Sequence, residues 1–301
     1  MSRPGSRWGE LLTTVAVGIV FTPVLWAIGG ESDYTVHAGE AQYWSEHGTT
    51  RIPLPNFLFA GLAVVAHAVI PVVGFLGSAL AVALVAQITL GVLLFRALSP
   101  EDAVAPPIAT ALLALSLMLI MPVNLFTAPS HNLYFGYLAP SPHHNPTLVL
   151  LKPLAWLAFV AATRTFAAPL ATSSPGRLTA TALIVALGTL AKPNFTMVLL
   201  PSLALALGLG WRRGAAVDAR AFWLGFAIPG AGVLAAQYAV TFSAAQVAHP
   251  SNVESGIAFA PLAVMRALSP EGLGAKFLLS VLFPVSVVAA FPGEARRDPT
   301  L

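Results

Sequence analysis

Apolar residues gather into long runs separated by short polar breaks, at about 11–28, 57–71, 75–95, 104–123, 147–163, 178–191, 195–210, 221–242 and 274–291. Most runs approach the roughly 20 residues that an α-helix needs to cross about 30 Å of hydrocarbon. The pattern predicts an all-α, polytopic membrane bundle of about eight transmembrane helices plus a juxtamembrane helix. The exception is 57–95, which is broken by Pro71, Gly74 and Gly77. Its first part, 57–71, is short for a span and reads as an interfacial or re-entrant helix.

Arginine placement bears on the same point. If 57–71 does not cross and the N-terminus is cytoplasmic, then Arg3, Arg7, Arg96, Arg164, Arg177, Arg212, Arg213, Arg220, Arg296 and Arg297 all fall inside. Were 57–71 to cross, every one of these from Arg96 onward would move outside, against the positive-inside rule. Arg51 and Arg266 remain outside. The expected topology has both termini cytoplasmic, a single transmembrane domain over 1–293 and a short cytoplasmic tail over 294–301. Three longer segments, 30–56, 124–146 and 243–273, face outward. All seven histidines and all three lysines, Lys152, Lys192 and Lys276, fall on or near that side.

Composition agrees with a lipid solvent. Hydrophobic residues make up 57% of the 301 positions and charged residues 9%, against about 25% charged in soluble domains. Mean hydropathy is +0.80. The net charge of +3 comes from arginines standing singly or in pairs at the ends of apolar runs. That is membrane topology, and no nucleic-acid partner is expected. The chain has no cysteine, which excludes disulfides, thiolate metal sites and cysteine nucleophiles. Arg3 and Arg7 before an apolar run imitate a signal peptide. The run is long for that role and lacks a clear cleavage site, so it reads as an uncleaved first helix.

Candidate chemistry lies in the outer segments. Asp33, His37 and Glu40 are spaced to share one helix face, flanked by Tyr34, Tyr43 and Trp44, which suit the headgroup level. Asp33 reads either as a general base above the membrane or as the N-cap of a solvated segment. The second segment carries His131, Asn132, Tyr134, Tyr137, His143, His144 and Asn145, then enters a span at Pro146. Lys152 follows about one and a half turns further in, where a lysine is costly unless it snorkels or meets a polar cavity. His143 and His144 are adjacent and do not converge on one ion, so no cofactor is expected and a divalent metal is unsupported. Lys192, in Leu190–Phe195, reads either as a headgroup-anchored hairpin residue or as a partner of Lys152 in an anion-binding cavity. His249–Glu254 reads as an exposed loop. No Walker loop, HExxH helix or GxSxG elbow occurs.

The arrangement resembles the GT-C superfamily of membrane glycosyltransferases, which includes protein O-mannosyltransferases and aminoarabinose transferases. The resemblance rests on Asp33 just after the first span, a juxtamembrane helix at 57–71, His144-Asn-Pro-Thr with Lys152-Pro, and Ala191-Lys-Pro-Asn-Phe. It covers most of the chain in topology, through short motifs. Family members usually carry further helices or a soluble outer domain, so the chain is expected to be a shortened or incomplete member. The first loop also has one acidic residue at the matching place rather than a pair.

The resemblance implies a bacterial plasma-membrane enzyme that transfers a sugar from a polyprenyl-phosphate-linked donor to an acceptor hydroxyl on the outer face. Its partners are that lipid-linked donor and the membrane lipids. It makes Asp33 the catalytic base, and Lys152 and Lys192 the binders of the lipid phosphate. His144 and Asn145 orient phosphate or sugar, and His37, Glu40 and Asn194 belong to the same substrate site. A transporter or flippase for an anionic or lipid-linked substrate is the alternative from another class, although no internal repeat is seen. A polysaccharide polymerase or ligase is a third.

Overall fold

A computed structural model describes residues 4–30, 32–48, 54, 56–99, 105–119, 143–167, 173–212, 218–241, 260, 263, 266 and 272–293. The described residues are 91% helical and contain no strand. The helices are α1 (Pro4–Gly29), α2 (Asp33–His47), α3 (Phe57–Val69), α4 (Gly74–Leu98), α5 (Pro107–Leu119), α6 (Pro146–Ala167), α7 (Pro175–Ala191), α8 (Pro193–Arg212), α9 (Ala219–Ala239) and α10 (Leu273–Ala290). His131, Asn132, Tyr134, Tyr137, Arg51, His249–Glu254 and the tail 294–301 lie outside the described residues.

Among the described residues five helices are long and apolar enough to cross a membrane: Arg7–Gly29, Pro71–Leu98, Pro146–Thr165, Pro193–Arg212 and Ala219–Ala239. Phe57–Val69, Pro107–Leu119 and Pro175–Ala191 are apolar but shorter. The 13 residues of α3 rise roughly 20 Å, well under the hydrocarbon thickness. Pro23, Pro153 and Pro201 sit inside α1, α6 and α8, as membrane helices tolerate.

Close approaches fix the relative directions of the helices. A Cβ built on Gly29 would meet Leu80, one on Gly91 would meet Val17, and one on Gly9 would meet Phe95, so α1 and α4 are antiparallel. If both cross, α2 and α3 must begin and end on the same side. Gly188 of α7 faces Leu151 and Leu154 of α6, Gly225 of α9 faces Thr181, and Gly230 faces Val185 and Thr196. Thus α6 opposes α7, and α9 runs parallel to α7.

Two apolar cores hold the bundle. In the first, Val17, Phe21 and Leu25 of α1 pack on a small-residue face of α4, Ala79, Ala83 and Ala86, with Ala111 and Ala114 of α5. Small residues let helix backbones approach, which in lipid replaces the hydrophobic drive as the source of packing energy. In the second, Leu199, Leu203 and Leu207 of α8 meet Ala158 and Ala162 of α6, Val185 of α7, and Phe222 and Phe226 of α9. Large apolar side chains such as Ile19, Val85, Val198 and Leu205 point outward. That is a liability in water and an ordinary lipid contact in a bilayer.

The helix directions also sort charge. Arg7, Arg96, Arg164, Arg177, Arg212 and Arg220 lie at helix ends that share one side of the bundle. Arg96 donates to Glu10 through Nε at 2.8 Å and Nη2 at 3.1 Å, tying α4 to α1 there. Asp33, Asn145 and Lys192 sit at the opposite ends.

Candidate active site

The polar cluster begins where α1 gives way to α2. Ser32 is extended and forms the N-cap, and Asp33 is the first helical residue. Ser32, and not Asp33, therefore takes the capping place that the sequence also allowed for Asp33. With Ser32 in the capping place, the Asp33 side chain is free to turn toward α6, and a first-turn carboxylate is favoured there by the helix dipole.

Asn145 supplies the opposing group. Its Oδ1 accepts from Leu148 N at 3.0 Å and from Thr147 Oγ1 at 2.6 Å, while Val149 N donates to its carbonyl at 3.1 Å. This is N-capping of α6, with Pro146 in the position where a missing N–H costs nothing. Capping fixes the amide so that Nδ2 donates to Asp33 Oδ2 at 2.8 Å. His144 Nε2 stands 3.6 Å from the same oxygen. Among the described residues Asp33 Oδ1 accepts no hydrogen bond, and the side chain is 38% exposed, so one carboxylate oxygen remains open to a substrate.

Lys192 closes the cluster from the α7–α8 turn. It is the extended C-cap of α7, and its Nζ donates to Thr147 Oγ1 at 3.4 Å. A hydrogen-bonded chain thus runs from Lys192 through Thr147 and Asn145 to Asp33, each link polarising the next. Burial holds the Lys192 ammonium below the usual lysine range, while the Asp33 carboxylate pulls it back up.

Beneath this group lies a second polar layer. Gln87 of α4, 1% exposed, meets the ring of His143 with Nε2 and Nδ1 3.3 Å apart, and Phe21 stacks obliquely on that ring at 5.4 Å. Burial pushes His143 down to about 4, and the charge of Lys152 adds to the push. The imidazole is therefore neutral at pH 7, a packed hydrogen-bonding group rather than a cation. Lys152, half-buried one and a half turns into α6, acts on the cluster through its field and donates no hydrogen bond among the described residues.

The other expected residues divide. His37 and Glu40 pair with each other at 2.6 Å on the next turn of α2, with Phe59 against the His37 ring. Asn194, in the first turn of α8, is exposed and makes no hydrogen bond among the described residues. Thr147 and Gln87 belong to the cluster without having been foreseen. Gln87 carries a signal in hindsight: an amide inside an apolar run is costly in a membrane and marks a polar contact.

Among the described residues no group of three or more His, Asp or Glu is placed to hold a metal ion. A cavity of about 510 Å³ lies between the C-terminal half of α1 and the N-terminal half of α4 and is lined by residues such as Leu25, Trp26, Leu76 and Leu84. It holds no charged group and is distinct from the Asp33 cluster. No family model, curated protein or solved structure matches this chain.

Proposed function

We propose that the chain is a GT-C-type membrane glycosyltransferase of about eight spans, with its arginine-rich side in the cytoplasm and Asp33 on the outer face of a bacterial plasma membrane. The donor is a polyprenyl-phosphate-linked sugar. The observation that carries the reading is the meeting of Asp33, His144, Asn145 and Lys192 from three separate elements at the end of the bundle away from the arginines.

In this reaction the acceptor oxygen attacks the anomeric carbon while its proton passes to Asp33 Oδ1. The bond from that carbon to the phosphate oxygen breaks, and the electron pair leaves with the polyprenyl phosphate. Lys192 stabilises the charge that grows on the leaving phosphate, with Lys152 contributing at longer range. Asn145 and His144 hold Asp33 by its other oxygen, so that the open one faces the acceptor. The partly desolvated setting strengthens each of these interactions over its value in water.

Asp33→Asn keeps the size of the side chain and removes the proton-accepting charge. In membranes supplied with polyprenyl-phosphate sugar, this variant is expected to lose transfer by at least about 100-fold, the scale of one general base, at unchanged abundance. Near-normal transfer would remove Asp33 from the mechanism. Undiminished movement of the lipid-linked sugar across the membrane, with no transfer in either protein, would favour a flippase.

A further inference from the structure

We propose a second site at the opposite end of the bundle: a phosphate-binding cavity between α6, α7 and α9, shaped for the headgroup of an anionic phospholipid. The cavity measures about 190 Å³, and Arg164, Arg177 and Ser173 stand at its mouth above a floor that includes Leu157, Ile184 and Phe226. Because α6 and α7 are antiparallel, the two helices contribute matching profiles. Leu157 lies seven residues before Arg164, and Ile184 lies seven after Arg177. Each pair is separated by roughly 10 Å along its helix. The lining therefore passes from cationic to apolar at the same depth on both walls, the profile of a headgroup followed by the start of an acyl chain.

The charge at the mouth is available. Arg164 and Arg177 are both exposed, and among the described residues neither has a carboxylate partner. The stretch from Arg164 to Arg177 contains no acidic residue. Asp218 is the acid that reaches this region, and backbone donors engage both its oxygens: Ser173 N to Oδ2 at 3.0 Å and Ala221 N to Oδ1 at 3.0 Å. Arg177 also lies in the first turn of α7, whose N-cap is Ser174, so the helix dipole adds to the attraction for an anion. Guanidinium groups bind phosphate through two parallel N–H bonds, which gives them geometry as well as charge. Basic pockets between membrane helices on the headgroup side suit anionic lipids for these reasons.

The test uses the full chain, delipidated in neutral detergent and titrated with phosphatidylglycerol, phosphatidylcholine or inorganic phosphate, with bound ligand counted by native mass spectrometry. The wild type is expected to prefer phosphatidylglycerol to phosphatidylcholine. The R164Q/R177Q variant should lose about tenfold or more in phosphatidylglycerol affinity, and each single variant part of that. R212Q, whose arginine lies outside the cavity, serves as the surface-charge control and should bind as the wild type does. A double lysine variant that recovers only part of the affinity would support two-pronged guanidinium recognition. Equal binding by wild type and R164Q/R177Q overturns the proposal, as does an equal loss in R212Q. Inorganic phosphate binding as tightly as phosphatidylglycerol would overturn the lipid assignment and leave a free-anion site. Unfolding of each variant in lipid-free micelles separates lost binding from lost fold, and the single variants keep the test decisive if the double variant unfolds.

Discussion

Asn145 holds two elements together through one side chain, and its two functions can be removed separately. Its Oδ1 caps α6 through Leu148 N at 3.0 Å, and its Nδ2 reaches Asp33 at 2.8 Å. Losing an N-cap costs about 1 kcal/mol. A hydrogen bond to a carboxylate contributes about 1.5–3 kcal/mol when water is excluded. Asp33 is 38% exposed, so water competes and about 1 kcal/mol is the better figure here. Asn145→Ala removes both contributions and is expected to destabilise by about 2 kcal/mol. Asn145→Ser keeps a good capping oxygen but cannot reach Asp33, and should cost about 1 kcal/mol. Asn145→Asp keeps the cap but sets a second carboxylate against Asp33, so it should be worse than Ser. The assay is unfolding in detergent micelles, with a double-mutant cycle over Asp33→Ala and Asn145→Ala. The cycle should return a coupling of about 1 kcal/mol. If Ala and Ser variants are equally stable and the cycle is additive, the bridge from α2 to α6 does not hold the site.

Gly91 is packed where α1, α4 and α5 meet: an added Cβ would lie 2.8 Å from Val17 Cγ2 and 3.2 Å from Met118 Sδ. Gly91→Ala should therefore cost about 1–3 kcal/mol in the same unfolding assay, whereas Gly18→Ala, with nothing within 4 Å of its Cβ, should be neutral or slightly stabilising. Lys192 is held low by burial and raised by Asp33, so deleting the Asp33 charge removes the raising influence. Binding of polyprenyl phosphate should then weaken at a lower alkaline pH in Asp33→Asn than in the wild type, and identical pH profiles would show that the two charges do not interact.

Much of the fold could be read from the apolar runs because membrane insertion imposes a length and a polarity on each helix. α1, α4, α6, α8 and α9 coincide with runs that meet both requirements. The run at 57–71 forms a helix of 13 residues, short for a span, as its length in the sequence indicated. Site residues were legible where cost made them conspicuous. Lys192 stands out beside apolar runs and Asp33 by its place just after the first long run, and both enter the cluster. Asn194 stood out only by following a Lys-Pro pair, and in the first turn of α8 its side chain is exposed. His37 and Glu40 share the Asp33 face of α2 but satisfy each other at 2.6 Å, an i, i+3 pairing that spacing permits and does not distinguish from convergence on a substrate. Thr147 could not be chosen from sequence, since its importance depends on the α7–α8 turn arriving beside the start of α6.

The division between lysine and arginine along this chain has a physical basis. A guanidinium stays charged in almost any setting and presents a broad, planar fork, which suits a headgroup boundary where water and phosphate compete for it. Arg7, Arg96, Arg164, Arg177, Arg212 and Arg220 keep to one end of the bundle, where Arg96 pairs with Glu10. An ammonium is compact, carries a point charge and gives up its proton more readily when buried. Lys192 donates to Thr147 within the field of Asp33, and its backbone N–H donates to Gly188 O at 2.9 Å. The site end therefore suits a cation whose charge depends on its neighbour, and lysine meets that condition. The same dependence ties the two halves of the proposed chemistry: the carboxylate that accepts the acceptor's proton also helps keep protonated the ammonium that receives the phosphate. As Asp33 takes up a proton its support for the Lys192 charge falls, while the negative charge growing on the leaving phosphate takes over that support. The ammonium is thus held charged throughout by whichever anion is present, which is what a cation serving both the resting site and the transition state requires.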